Sequence, residues 1–101
     1  MSPYAAPLRD IRFVLDTLLE HRSLALPQYQ DLSPDVIDAV LEEAGRVAGD
    51  VWAPLNQDGD RHGCRLEGGE VLTPPGFAEA YRAFVEGGWN GIGSDPEHGG
   101  Q

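Results

Sequence analysis

The sequence predicts a mostly α-helical chain: a three-helix partial bundle carrying one small β-hairpin. Two observations lead there. Apolar residues recur at steps of three and four in three stretches, residues 8–21, 33–56 and 75–86. Between the last two, Gly68-Gly69 separates two short segments, 64–67 and 70–72, as a two-residue hairpin turn would. At 101 residues this is at most one domain, and size alone predicts burial of roughly two thirds of the unfolded surface.

Residues 1–7, with Pro3, Tyr4 and Pro7, form a short arm. The first helix then shows Leu8, Ile11, Val14, Leu15, Leu18 and Leu19 at helical spacing. Two starts compete: Pro7 at the first helical position, or Asp10 as the cap. Phe13 lies off the main stripe. A wide stripe in a crowded bundle is the reading adopted for it, over a lone exposed aromatic or a second contact surface. Residues 22–32 are a connector in which Pro27 forbids a smooth helix, while Leu24, Leu26, Tyr29 and Leu32 are expected to pin it down.

The stretch 33–56 is the element around which the rest is organised. Ile37, Val40, Leu41, Ala44, Val47, Ala48, Val51, Trp52 and Leu55 fall on one face. Ser33 can cap, Pro34 fits the first helical position, and Asp35 suits the positive end of the helix dipole. Asp38, Glu42, Arg46 and Asp50 make the wet face, with Glu42 and Arg46 spaced as a favourable pair. Pro54 removes a helical hydrogen bond, yet Leu55 stays on the stripe, so a kink is expected rather than a stop. Residues 57–63 read as loop.

Eleven of the thirteen glycines lie from Gly59 onward. The hairpin there is too small to stand alone and should lean on a helix. For the third helix, Thr73 is a candidate cap followed by Pro74. Phe77, Ala80, Tyr81, Phe84 and Val85 make its stripe, and Gly87-Gly88 its stop. The final stretch, WNGIGSDPEHGGQ, reads as a glycine-rich loop.

The formal net charge is −10, and all seven basic residues are scattered arginines. Nucleic acid and anionic membranes are therefore poor partners. One cysteine, Cys64, excludes an internal disulfide and a four-cysteine zinc site. No apolar run approaches the length of a membrane span, and the first ten residues lack the pattern of a secretory signal, so the cytoplasm is expected.

Three constellations invite a ligand reading. Asn56, Asp58, Asp60 and Glu67 match positions one, three, five and twelve of a calcium loop. The position that wants glycine holds Arg61, however, so a solvated acidic turn is preferred. His62 and Cys64, completed by His98 or His21, fit no common zinc spacing and read as a surface loop with an ordinary thiol. Gly88, Gly91 and Gly93 resemble a phosphate loop in composition only. The order is wrong and no strand precedes it, so a tight turn folding Trp89 and Ile92 back onto the helices is preferred. The seventeen carboxylates fall on wet faces or loops. No catalytic, cofactor-binding or metal-ligating residue is assigned.

The wording of the chain adds a resemblance. YAAPLRDIRFVLDTLL, LEEAGRVAGDVWAPLNQDGDRHGC and VLTPPGFAEAYRAFVEGGWNGIGSDPEHGGQ resemble the amino-terminal part of bacterial acyl-CoA dehydrogenases. They are most similar to the subgroup with an extended N-terminus that includes 3-methylmercaptopropionyl-CoA dehydrogenases. The marks run in order: Pro7-Leu8-Arg9-Asp10, Phe13-Val14-Leu15, Ala53-Pro54-Leu55-Asn56, Gly59-Asp60, Thr73-Pro74 with Gly76-Phe77, Gly88-Trp89, Asp95-Pro96-Glu97 and Gly99-Gly100.

This resemblance implies residues 1–32 as an extension with the first helix and 33–101 as the start of an incomplete N-terminal α domain. It implies FAD, an acyl-CoA substrate and electron-transferring flavoprotein as electron acceptor. A glutamate base would take the α-proton while the β-hydrogen leaves as hydride. The base and most flavin contacts belong to parts absent from these 101 residues, so no family site residue carries over and the chain alone is expected to be inactive. Its uncovered stripes should then meet the remaining dehydrogenase domains or a homo-oligomer, with marginal stability or self-association in isolation. The alternative is a free-standing helical interaction module derived from such an enzyme.

Overall fold

The structure, a computed structural model, describes residues 4–20 and 24–101. It divides into two compact units, Met1–Asp50 and Val51–Gln101.

In the first unit, α1 (Leu8–Phe13) continues into a π-helical turn, Val14–Leu18. Neither expected start is used. Pro7 stands one residue outside the helix, with φ −79° and ψ 66°, and its carbonyl accepts from the Ile11 amide at 3.0 Å. Asp10 lies in the first turn instead of capping it. The helix ends before the expected residue 21, because Glu20 turns to φ 46°; His21 itself lies outside the described residues. Among the described residues the connector holds a 3-10 turn, Pro27–Tyr29, and of its four expected anchors Leu32 is half-buried while Leu24, Leu26 and Tyr29 are exposed.

The second helix, α2 (Pro34–Arg46), starts as its sequence dictates. Ser33 is in extended conformation and its Oγ accepts from the Val36 amide at 3.3 Å, with Pro34 at the first helical position. Ile37, Leu41 and Ala44 are half-buried, while Val40 on the same expected stripe is exposed. α1 packs on α2, and Arg12 joins them: its Nε donates to Asp38 Oδ1 at 2.7 Å, and its Nη2 lies 3.6 Å from Glu42 Oε1. Glu42 is thus turned toward Arg12, and Arg46 pairs with Glu43 at 2.8 Å in place of the expected Glu42. Phe13 remains 54% exposed, which overturns the wide-stripe reading.

The helical path does not end near residue 56. A π-helical segment, Val47–Trp52, is followed by α3 (Ala53–His62), so the expected loop at 57–63 is helix down to His62. Pro54 falls in the first turn of α3, where its missing N–H breaks no bond that the α ladder needs. The π turn ahead of it is a recognised way to re-register a helix. Gly63, at φ 64°, then ends it.

In the second unit, β1 (Arg65–Glu67) and β2 (Glu70–Leu72) pair antiparallel, Leu66 opposite Val71. Gly68 and Gly69, at φ 59° and 82°, form the turn that needs positive φ at both positions. Every strand residue is exposed, including Leu66 (74%) and Val71 (66%), so the expected lean on a helix is not what the apolar pair does.

The last helix, α4 (Phe77–Glu86), begins two residues later than expected. The Phe77 amide donates to the Pro74 carbonyl at 3.2 Å, closing a turn with Gly76 at φ 86°. Thr73 therefore caps nothing, because the turn occupies the residues that would have been the first of the helix. Short 3-10 turns follow at Trp89–Gly91 and Pro96–His98. Trp89 is half-buried as expected; Ile92 is exposed, against expectation.

Burial is thin. Among the described residues only Pro74 and Ala80 are buried. The surface totals 7945 Å². An unfolded chain of this mass would expose roughly 15,800 Å², so about half stays exposed instead of a third.

Candidate interaction surface

Among the described residues, those that the sequence offers as ligands are not brought together. Asn56, Asp58 and Asp60 ride on α3, where a step of two residues turns about 200° around the axis, so Asp58 lies across the helix from Asn56 and Asp60. His62 Nδ1 donates to the Asp58 carbonyl at 2.8 Å, and Arg61 lies 4.0 Å from the Asp58 carboxylate. Glu67 is on β1, 3.3 Å from Arg65. Cys64 is exposed and His98 sits in the last 3-10 turn. Among the described residues no group of three or more His, Cys, Asp or Glu is close enough to hold a metal ion.

The glycine run is a turn closed on itself. The Gly88 amide donates to Val85, the Gly91 amide donates to Gly88, and the Gly91 carbonyl accepts from both Ser94 and Gln101. The Gln101 side-chain amide reaches the Gly88 carbonyl at 3.5 Å. Asp95 caps the final 3-10 turn by accepting from the Glu97 amide at 2.9 Å. An Asp-Pro-Glu order, with the acceptor two residues ahead of the amide it takes, is the signal that could have found it.

What the structure does present is apolar surface. In the second unit Trp52 meets Phe84 edge-on, with ring centroids 5.6 Å apart and planes at 75°. Tyr81 lies beside Phe84, centroids 6.4 Å apart. Edge-to-face geometry holds such a pair in place, and here the outer members of the cluster remain in water. Trp52 is 44% exposed and Tyr81 60%. An aromatic cluster at a rim, exposed on its outer side, suits contact with another polypeptide more than it suits a small-molecule cavity.

Two features of the first unit escaped the sequence reading. Gly45 and Gly49, four apart, give the N-terminal arm a close path. A Cβ at Gly45 would stand 3.5 Å from Leu8, and one at Gly49 would stand 3.2 Å from the Tyr4 carbonyl. The spacing of the two glycines on one helical face was the available signal. The Arg12 bridge to Asp38 and Glu42 joins positions far apart in sequence, and no local pattern announces it. No helix among the described residues is long and apolar enough to cross a membrane.

No family model matches the chain. Individual proteins do. It is 43% identical over 98 residues, 96% of its length, to 3-methylmercaptopropionyl-CoA dehydrogenase of Ruegeria pomeroyi. It is 36% and 30% identical over 90 residues, 84% of its length, to two butyryl-CoA dehydrogenases of Syntrophomonas wolfei. It spans only 17%, 15% and 15% of those relatives. The order of residue marks along the sequence and these identities agree: the chain is similar to acyl-CoA dehydrogenases, over a segment about one sixth of the length of those relatives.

Proposed function

We propose that these residues are the N-terminal segment of an FAD-dependent acyl-CoA dehydrogenase and serve it as a structural part without catalytic groups of their own. The observation that carries the reading is 43% identity across 96% of the chain to a protein named for that activity. The whole protein would dehydrogenate an acyl-CoA thioester between its α and β carbons in the cytoplasm and pass the electrons to electron-transferring flavoprotein. Residues 1–32 would be an extension and 33–101 the opening of the helical domain.

No flavin contact is placed on this chain. The amides of Gly88 and Gly91 are spent inside their own turn, and the carboxylates of α3 lie along an exposed helix. That supports leaving both the base and the flavin to other residues of the dehydrogenase. Thin burial supports the same division of labour, since these helices leave surface for a larger body to cover.

The test is the gene product isolated from its own cells. A mass several times 10.9 kDa, with flavin absorbance bleached by an acyl-CoA, is the expected result. A native product of 10.9 kDa would overturn it and leave a free-standing interaction module, a second reading favoured by the exposed Trp52 and Tyr81 rings. The 101-residue chain alone should give no acyl-CoA-dependent reduction of an artificial electron acceptor.

A further inference from the structure

In the second unit, Asn90 is exposed, and among the described residues its carboxamide makes no hydrogen bond. Gly91 follows it, so no side chain crowds the main-chain nitrogen next to that carboxamide. Both lie in the 3-10 turn Trp89–Gly91, and the bonds that close it are long. The Gly91 amide donates to the Gly88 carbonyl at 3.2 Å, and the Ile92 amide donates to the Trp89 carbonyl at 3.4 Å. A 3-10 turn also has poorer hydrogen-bond geometry than an α-helix. Asp58-Gly59 is the same kind of pair chemically, but it sits inside α3 with the Phe77 ring against Gly59.

We infer that Asn90 is a self-modification site: the folded chain converts it to isoaspartate through the Gly91 nitrogen, and the product opens the turn that Gln101 closes. The helical ψ of a 3-10 turn keeps the nitrogen of the next residue away from the side-chain carbon. Opening this one turn lets ψ swing. The Gly91 nitrogen then gives up its proton and attacks Asn90 Cγ. A C–N bond forms and closes a succinimide ring; the Cγ–Nδ2 bond breaks, and Nδ2 leaves as ammonia with that proton. Water opens the ring and returns a proton to the Gly91 nitrogen. Addition at Cγ leaves aspartate in a normal chain. Addition at the former main-chain carbonyl leaves isoaspartate, whose chain runs through Cβ and Cγ. Water is the sole co-reactant.

Isoaspartate inserts one methylene, about 1.5 Å of extra main chain, ahead of Gly91. The Gly91 carbonyl is where this region closes, accepting from the Ser94 and Gln101 amides, each at 3.0 Å. A displacement of that size takes both bonds out of range. Plain aspartate at residue 90 has the same charge and leaves the main chain, and so the closure, as it was. The chemistry goes beyond the proposed function and does not depend on it.

The test keeps the 101-residue chain in neutral buffer made with heavy-oxygen water, with and without guanidinium chloride. Each ring opening leaves one heavy oxygen in the chain. Trypsin then separates residues 47–61, which hold Asp58, from 83–101, which hold Asn90. Folding should slow labelling at Asn90 by no more than about tenfold, because one turn has to open. At Asp58 folding should slow it at least about tenfold more, because α3 has to break. Gly91→Ala should slow the Asn90 reaction severalfold. Its Cβ would stand 3.5 Å from Gly100 Cα, an ordinary contact, so the turn accommodates it. Amide exchange at Ser94 and Gln101 should quicken at least about threefold in the isoaspartate form, and stay unchanged in Asn90→Asp. Equal slowing at the two sites overturns the proposal, as does an Asn90 that reacts only in denaturant. Indifference to Gly91→Ala, or exchange in the isoaspartate form no faster than in Asn90→Asp, overturns it too.

Discussion

The ring of Phe77 occupies the space that a side chain on residue 59 would need: a Cβ built on Gly59 stands 2.5 Å from Cζ and 2.9 Å from Cε1. This relation holds α4 against α3, and it explains why a glycine persists inside a helix. Alanine there should gain about 1 kcal/mol of helix propensity, but the overlap should cost about 1–3 kcal/mol. Gly59→Ala is therefore expected to lower stability by about 1 kcal/mol in urea unfolding. Combining it with Phe77→Leu should recover part of the loss, and a double-mutant cycle measures how much.

Gly76 is a sharper case. Its φ of 86° belongs to the left-handed region, and a Cβ would come 2.8 Å from Leu55 Cδ2. Gly76→Ala thus meets a backbone penalty of about 1–2 kcal/mol together with a packing penalty. The unfolding midpoint should fall further than for Gly59→Ala, and the ellipticity of the native state should drop as the first turn of α4 frays.

Ser33 caps α2 through one hydrogen bond to Val36. Ser33→Ala should cost about 1 kcal/mol, whereas Ser33→Asp should cost almost nothing because it supplies an acceptor and a charge suited to the dipole. Amide exchange at Val36 reads this directly: faster in the alanine variant, unchanged in the aspartate one.

Arg12 serves two acids on α2, but the groups are partly in water, so the bridge is worth about 1 kcal/mol or less. Arg12→Gln should lower stability by that amount in dilute buffer, and by much less in about 0.5 M salt. An equal loss at both ionic strengths would show that the arginine stem, not its charge, holds α1 in place.

The helices, the hairpin register and the Ser33 cap were legible because each is set by residues within a few positions of one another. The end of α3 was not. The stretch 57–63 looks like loop by composition, and it stays helical to His62 with Gly59 making room for a ring eighteen residues onward. The start of α4 was misplaced for a related reason, since Pro74 to Gly76 close a turn that a helix-start pattern mimics. The surface of Trp52, Phe84 and Tyr81 was seen only as helical stripe, because periodicity tells which side is apolar and not whether anything covers it. The similarity to acyl-CoA dehydrogenases was legible in the order of short words, which no single element contains.

The hairpin has a practical side. Gly68 and Gly69 have open space around them, and the strands they join are exposed on both faces. Lengthening a tip of this kind costs only about 0.6 kcal/mol for each doubling of the loop. A peptide epitope or a fluorophore-bearing cysteine can therefore be grafted between the two glycines, giving a handle on the chain that leaves α3, α4 and the aromatic cluster of Trp52, Tyr81 and Phe84 undisturbed.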